Sequence, residues 1–326
     1  MPAGQQSPTA NLHFALADVM GQVLTTGRTF FVSSTTTDSS DTDGRSGRDP
    51  NNPLATLDAA FGASYAGASN GRQGAANNGD IIFVMPNHAE TVTGVGGITA
   101  DIAGVTVIGL GSGSQRPRFL MDGATSVSVL VDANDITFRN LVFASGHSDV
   151  VTCFDVNAAT GCWIDAVEFE NNIADENWLT PISCTGAADN SNDGLRVTNC
   201  RWLTIDIGSL EFINLEEVTD GAVIEDNLVI HEGTASPLIL GETGASLTRC
   251  SVQRNFLSHK MTANELLVNI GTAGSGIIAH NRVRHADVTT THDLGIDSIG
   301  MGLFDNLSTS VDNLSGVVLP AADVNS

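Results

Sequence analysis

From about residue 100 onward the chain repeats itself: a short apolar alternation, a turn residue that is usually Asn, and a second alternation. The copies run VTVIGL (105–110), ITFRNLVF (136–143), CWIDAVEF (162–169), LRVTNCRW (195–202), VIEDNLVI (223–230), CSVQRNFL (250–257), IIAHNRVR (277–284) and MGLFDNLS (301–308). Aligned on the turn, they put Gly109, Asn140, Ala166, Asn199, Asn227, Asn255, Asn281 and Asn306 in one column, 25 to 33 residues apart. A period of this size restricts the chain to solenoids, propellers or arrays. Period-two alternation rich in Val, Ile, Phe and Thr excludes helical repeats. The copies do not supply leucines at the fixed offsets of leucine-rich repeats, and a propeller blade needs four strands in about 40 residues. What fits is an all-β fold, a right-handed single-stranded parallel β-helix with three short strands per coil and two corners of variable length.

The recurrent Asn has a physical reason. A tight corner needs a residue with φ > 0, which Asn tolerates, and its amide can bond to the Asn one coil away. Asn140, Asn199, Asn227, Asn255, Asn281 and Asn306 are therefore expected to stack as a ladder at the coil spacing of about 4.8 Å. The polar insertions TGAADNSNDG (185–194), HEGTASP (231–237) and TTTHDLGID (289–297) are expected on one surface, where partners bind. Asp189, Asn192 and His292 in these insertions, with Trp178 in IADENWLTP (173–181), are the candidate binding residues.

Upstream, residues 28–66 open with an apolar strand, cross a Ser/Thr/Asp/Gly loop and reach a helix signal. Asn52 can cap it, Pro53 suits its first position, and Leu54, Leu57, Ala60 and Phe61 give one apolar stripe. GDIIFVMP (79–86) and GVTVIGLG (104–111) then read as strands. This order resembles the start of pectate-lyase-like right-handed β-helix proteins, especially those of tailed bacteriophages. As a pattern the resemblance spans residues 28–310. It divides the chain into residues 1–27, a helical arm or cap; 28–310, the β-helix, with its first strand and capping helix in 28–78 and its coils in 79–310; and 311–326, a C-terminal cap or tail. In the arm, Leu12, Leu16, Val19 and Val23 fall at helix spacing before Gly27. The resemblance implies a homotrimer in which such an element attaches to the particle. Apolar residues on both sides of VSVLV (127–131) and LEFINL (210–215) agree with packing between copies.

The family that the chain resembles includes polysaccharide lyases, glycoside hydrolases, tailspikes and non-enzymatic virion proteins, so fold alone does not choose an activity. Lyases of this kind combine acidic calcium ligands with an Arg or Lys base. The densest acidic group here is Asp206, Glu216, Glu217, Asp220, Glu225 and Asp226, with Arg201 in the preceding copy. Paired carboxylates at suitable separation are an alternative acid and base for a glycosidic bond. Sugar binding also needs aromatic platforms, and the chain has 1 Tyr and 3 Trp. Within the resemblance, that inventory favours the structural members, and the resemblance then implies a head decoration or spike protein, made in the host bacterial cytoplasm and carried on the virion. Its expected partners are other copies of itself, the major capsid protein or other virion proteins, and host-surface polysaccharide. A tailspike-type depolymerase is the alternative.

Charge narrows the partners further. The net charge of −23, with 14 basic residues of which only Lys260 is lysine, disfavours nucleic acid and anionic membrane. Met1 to Thr25 lacks the basic start and continuous apolar run of a secretory signal. The 5 cysteines, Cys153, Cys162, Cys184, Cys200 and Cys250, include no CxxC and read as buried thiols. His280, His285 and His292 have no zinc-ligand spacing. GLGSGS (109–114) lacks the helix and GK[ST] of a phosphate loop, so no cofactor and no metal are expected.

Overall fold

A computed structural model describes residues 27–41, 46–62, 79–173, 175–186, 188–204, 208–231, 238–242, 244–259, 268–270, 274–285, 296–298, 300–310 and 317–319. The chain visits three sheets in turn, and each strand pairs with the strand one coil further on. The first sheet has ten strands, from Thr29–Val32 to Gly302–Phe304. The second also has ten, from Ala89–Thr93 to Val317–Leu319, and the third has eight, from Ile98–Ala100 to Ile296–Ser298. Among the described residues these strands pair in parallel except where Val317–Leu319 runs back along Asn306–Ser310. The described chain is a parallel β-helix.

Alternation within each strand separates a dry interior from an outer surface. In the first sheet the interior file is Phe30, Ile82, Val107, Phe138, Ile164, Val197, Ile224, Val252, Ile278 and Leu303, joined by strand register. All ten are buried. Aromatic side chains fill the axis: Phe119 stacks on Phe143 at 5.0 Å between ring centroids, and Phe154, Phe169 and Phe212 continue edge to face. Trp202 stacks on Phe212 at 5.9 Å and is fully buried. The five cysteines are free and buried.

The turn column separates into two adjacent columns. The residue with positive φ between the first and second sheets is Asn140, Ala166, Asn199, Asp226, Arg254, His280 and Asp305 in successive coils. The next residue points inward and is Leu141, Val167, Cys200, Asn227, Asn255, Asn281 and Asn306, all buried. Only its last four members form the amide ladder. Nδ2 of Asn227, Asn255 and Asn281 donates to Oδ1 of the following Asn at 2.9, 3.0 and 3.0 Å. Asn140 and Asn199 are therefore not rungs. They occupy the strained corner, while Leu141 and Cys200 stand where the rungs would be. Both positions favour Asn for different reasons, which is why a sequence alignment merges them.

The capping helix is shorter than the sequence predicts. It spans Leu57–Phe61, with Thr56 as its N-cap rather than Asn52. Leu54 instead bridges to Val32 in the manner of a strand. Thr56 accepts a bond from the Ala59 N–H at 3.2 Å, the Asp41 carboxylate receives the Ala55 and Thr56 N–H groups, and Gly62 closes the helix at φ 83°. Leu57, Ala60 and Phe61 enter the main core, where the Phe61 ring approaches Phe138 at 6.4 Å. At the same end, Phe31, Ile81, Phe83 and Ile108 form a second buried cluster on the other face of the first sheet.

Candidate functional site

The described members of the predicted acidic group do not gather into one cluster. Glu216 and Glu217 follow the third-sheet strand Ile213–Leu215, and Asp220 lies in the short strand Thr219–Asp220. Glu225 ends the first-sheet strand Val223–Glu225, and Asp226 is the positive-φ corner residue after it. Arg201 stands on the outer face of the second sheet, 3.5 Å from Glu168. Asp206 lies outside the described residues, as do His292, the N-terminal positions Leu12, Leu16, Val19 and Val23, and most of 311–326. From Glu217 to Asp226 the chain passes a corner, the strands Thr219–Asp220 and Val223–Glu225, and a second corner, so Glu225 and Asp226 meet at Arg254 while Asp220 is held apart from them by Arg249.

Several of these acids are instead tied to an arginine one coil on. Arg254 reaches both Glu225, at 2.6 Å, and Asp226, at 2.9 Å. Arg249 clamps Asp220 with its Nε at 2.7 Å and a second guanidinium contact, while the Thr248 hydroxyl donates at 2.9 Å. These donors hold the Asp220 carboxyl down at about 2, the Arg249 bond contributing most. Glu216 behaves oppositely: burial, then the nearby charges of Glu242, Asp155 and Glu217, push its carboxyl up. It lies one coil below Glu242, since Leu215 pairs with Gly241. Among the described residues, no group of three or more His, Cys, Asp or Glu is placed to hold a metal ion.

The other binding candidates are also placed. Trp178 is not a corner residue. It begins the third-sheet strand Trp178–Cys184, is fully buried, and donates its indole N–H to the Glu170 carbonyl at 3.0 Å. Asn192 is 2% exposed and braces the neighbouring coil by accepting the Ala159 N–H. Both are structural, because each buries a polar group that the fold itself satisfies. Asp189 is exposed, with its carboxylate 3.4 Å from the Val218 N–H.

The outward tryptophan is Trp163, and it organises a polar patch over three coils of the first sheet. Ile164 points inward, so Trp163 and Asp165 point out. The Trp163 indole N–H donates to Thr198 Oγ1 at 2.8 Å, and Arg196 lies over the ring at 4.2 Å from its centroid. Thr198 Oγ1 and Asn199 Nδ2 donate to Asp165 Oδ1 at 2.7 and 2.8 Å, and Arg139 pairs with Asp165 Oδ2 at 3.0 Å. Asp165 thus accepts from donors on both neighbouring coils. The patch offers a half-buried ring edge, two guanidinium groups and an amide, suited to contacting a polar ligand rather than breaking one. The strand parity of CWIDAV was the signal for it, but the inward or outward sense was open in the sequence.

This arrangement defines a class, a parallel β-helix with side-chain pairs between coils on its outer face. No family model matches the chain, and no curated protein sequence matches it. Among solved structures it is similar to pectate lyase Pel9A, with 12% identity, 93% of this chain and 80% of that one covered, and a TM-score of 0.43. It is also similar to ORF18 of Geobacillus virus E2, with 9% identity, 95% of this chain and 65% of that one covered, and a TM-score of 0.35.

Proposed function

We propose that the chain is a structural protein of a tailed-bacteriophage virion, a homotrimeric β-helix displayed on the head as a decoration or spike. Its partners in this reading are other copies of itself, the major capsid protein or other virion proteins, and host-surface polysaccharide touched by the Trp163 patch. The single observation that carries the structural side is the fate of the acids. Asp165, Glu168, Asp220, Glu225 and Asp226 are paired with arginines of neighbouring coils. Carboxylates held in this way fasten coil to coil. The virion assignment draws its support from the order of strand, short helix and strands at the start of the solenoid.

The test is immunogold labelling of purified particles of the virus encoding the chain, with antibody against residues of the outer corners. Label on heads is the expected result. Particles that carry no label overturn the reading, and label confined to tails replaces it with the tailspike one.

A further inference from the structure

We infer that Arg196 is the group by which the Trp163 patch holds its ligand, and that it selects a sugar carrying a single carboxylate. The inference rests on the polysaccharide contact in the reading above and names the chemistry of that contact. Arg196 opens the first-sheet strand Arg196–Thr198, in register between Trp163 on the coil before and Val223 on the coil after. Val197 is buried in the interior, so Arg196 stands on the outer face, where it is exposed. Its guanidinium carbon lies 4.2 Å from the centroid of the Trp163 ring. The ring is itself fixed, because its indole N–H donates to Thr198 Oγ1 at 2.8 Å. A guanidinium laid on a fixed ring is positioned without using any of its N–H donors.

The surrounding carboxylates leave those donors unclaimed. Asp165 and Glu225 lie diagonal to Arg196, each in register with Thr198, two residues along the strand. Asp165 is taken by Thr198, Asn199 and Arg139. Glu225 accepts from the Ser251 hydroxyl and pairs with Arg254 at 2.6 Å. Before the strand, Asp193 accepts the Asp220 N–H at 2.8 Å, and Asp220 is clamped by Arg249. Arg116, Arg118, Arg139, Arg201, Arg249 and Arg254 each have an acidic partner; among the described residues Arg196 has none, and its recorded contact is the Trp163 ring. The planar fork of a guanidinium matches the two oxygens of a carboxylate. One face of Trp163 is occupied by Arg196, so a sugar is recognised here through its charge and not by stacking on that face. Asp165, Asp193 and Glu225 also limit the charge that is welcome. A phosphate monoester, at about −1.5 to −2, or a polymer with a carboxylate on every sugar brings more negative charge to these acids than one guanidinium offsets. The ligand that fits is a polysaccharide in which carboxylate-bearing sugars alternate with neutral ones.

Isothermal titration calorimetry on the full chain tests this with three polymers: hyaluronan, which carries a carboxylate on every second sugar; the same polymer with its carboxyl groups reduced to alcohols; and polygalacturonate, with a carboxylate on every sugar. Hyaluronan should bind, and reduction of its carboxyl groups should weaken it by about tenfold or more. Arg196→Gln should cause a loss of the same size, and Arg196→Lys should not restore it, since an ammonium lacks the fork; both variants should keep the far-UV spectrum of the natural chain. Polygalacturonate should bind more weakly per carboxylate than hyaluronan. Absence of hyaluronan binding, equal binding of the reduced polymer, or full binding by Arg196→Gln overturns the assignment, and polygalacturonate that binds as tightly as hyaluronan overturns the preference for spaced charge. These outcomes are separate from the particle labelling: unlabelled particles with Arg196-dependent binding would remove the virion reading and leave this site standing.

Discussion

Asn255 is the residue on which the coil stack turns. Its Nδ2 donates to the Ile224 carbonyl and to Asn281 Oδ1, at 2.9 and 3.0 Å, and its Oδ1 accepts from the Asn227 N–H and Nδ2, at 3.1 and 2.9 Å. The amide is 1% exposed, so truncation strands several buried groups at about 1–3 kcal/mol each. Asn255→Ala should lower the unfolding free energy by about 3–5 kcal/mol, read from denaturant titration. Asn199→Ala should cost only about 1 kcal/mol, because Asn199 is at the exposed corner and Ala166 already adopts the same left-handed turn at φ 52°. Equal losses would return both residues to one column. The cysteines make a second residue-scale prediction. Burial pushes the Cys162 and Cys200 thiols up to about 12 and Cys250 to about 11. Such thiols are not nucleophiles near neutral pH. A colorimetric thiol reagent should find almost none in the native chain and all 5 after unfolding.

At the scale of single elements, the helix Leu57–Phe61 shows how a short segment closes a solenoid. Five residues are too few to be stable alone; caps at both ends and three side chains in the core hold this one. Phe61→Ala empties the space against Phe138 and should cost about 3–5 kcal/mol, seen as a lower denaturation midpoint with an unchanged slope. An unchanged midpoint would mean that the helix is not part of the core. The strands were legible in the sequence because alternation and a fixed turn residue leave few alternatives. Corner register was not, since one residue of slip exchanges the strained position for the inward one, and Asn suits both. Trp178 misleads for a related reason: its strand begins inside a polar stretch that reads as a loop. The acids at 216–226 look like a cluster only in the linear order, which does not reveal how many corners the chain turns between them. The Trp163 patch draws on residues about 60 positions apart and becomes visible only once coils are stacked.

For the whole molecule, acidity and pairing set the response to pH. The Asp220 carboxyl sits at about 2 when folded against 3.8 for the free group. Its pair with Arg249 therefore contributes fully above about pH 4 and is lost as the pH falls through about 2. Glu216 has the opposite sign, since its raised folded value means that ionisation works against folding and that acidification relieves the cost. Melting temperature measured from neutral to about pH 2 should accordingly lose part of its acid limb in Asp220→Asn. Glu216→Gln should raise the melting temperature at neutral pH; a lower value there would contradict the repulsion at this corner.

In the proposed function the outer polar side chains fasten the rod and touch a surface. The most direct test is to incubate the full chain with capsular and pectin-type polysaccharides and follow new reducing ends and unsaturated products. The account predicts no release above the untreated polymer, even at high protein concentration, whether or not the polymer is bound. Steady release that scales with protein and disappears on substituting one of its own carboxylates would contradict it.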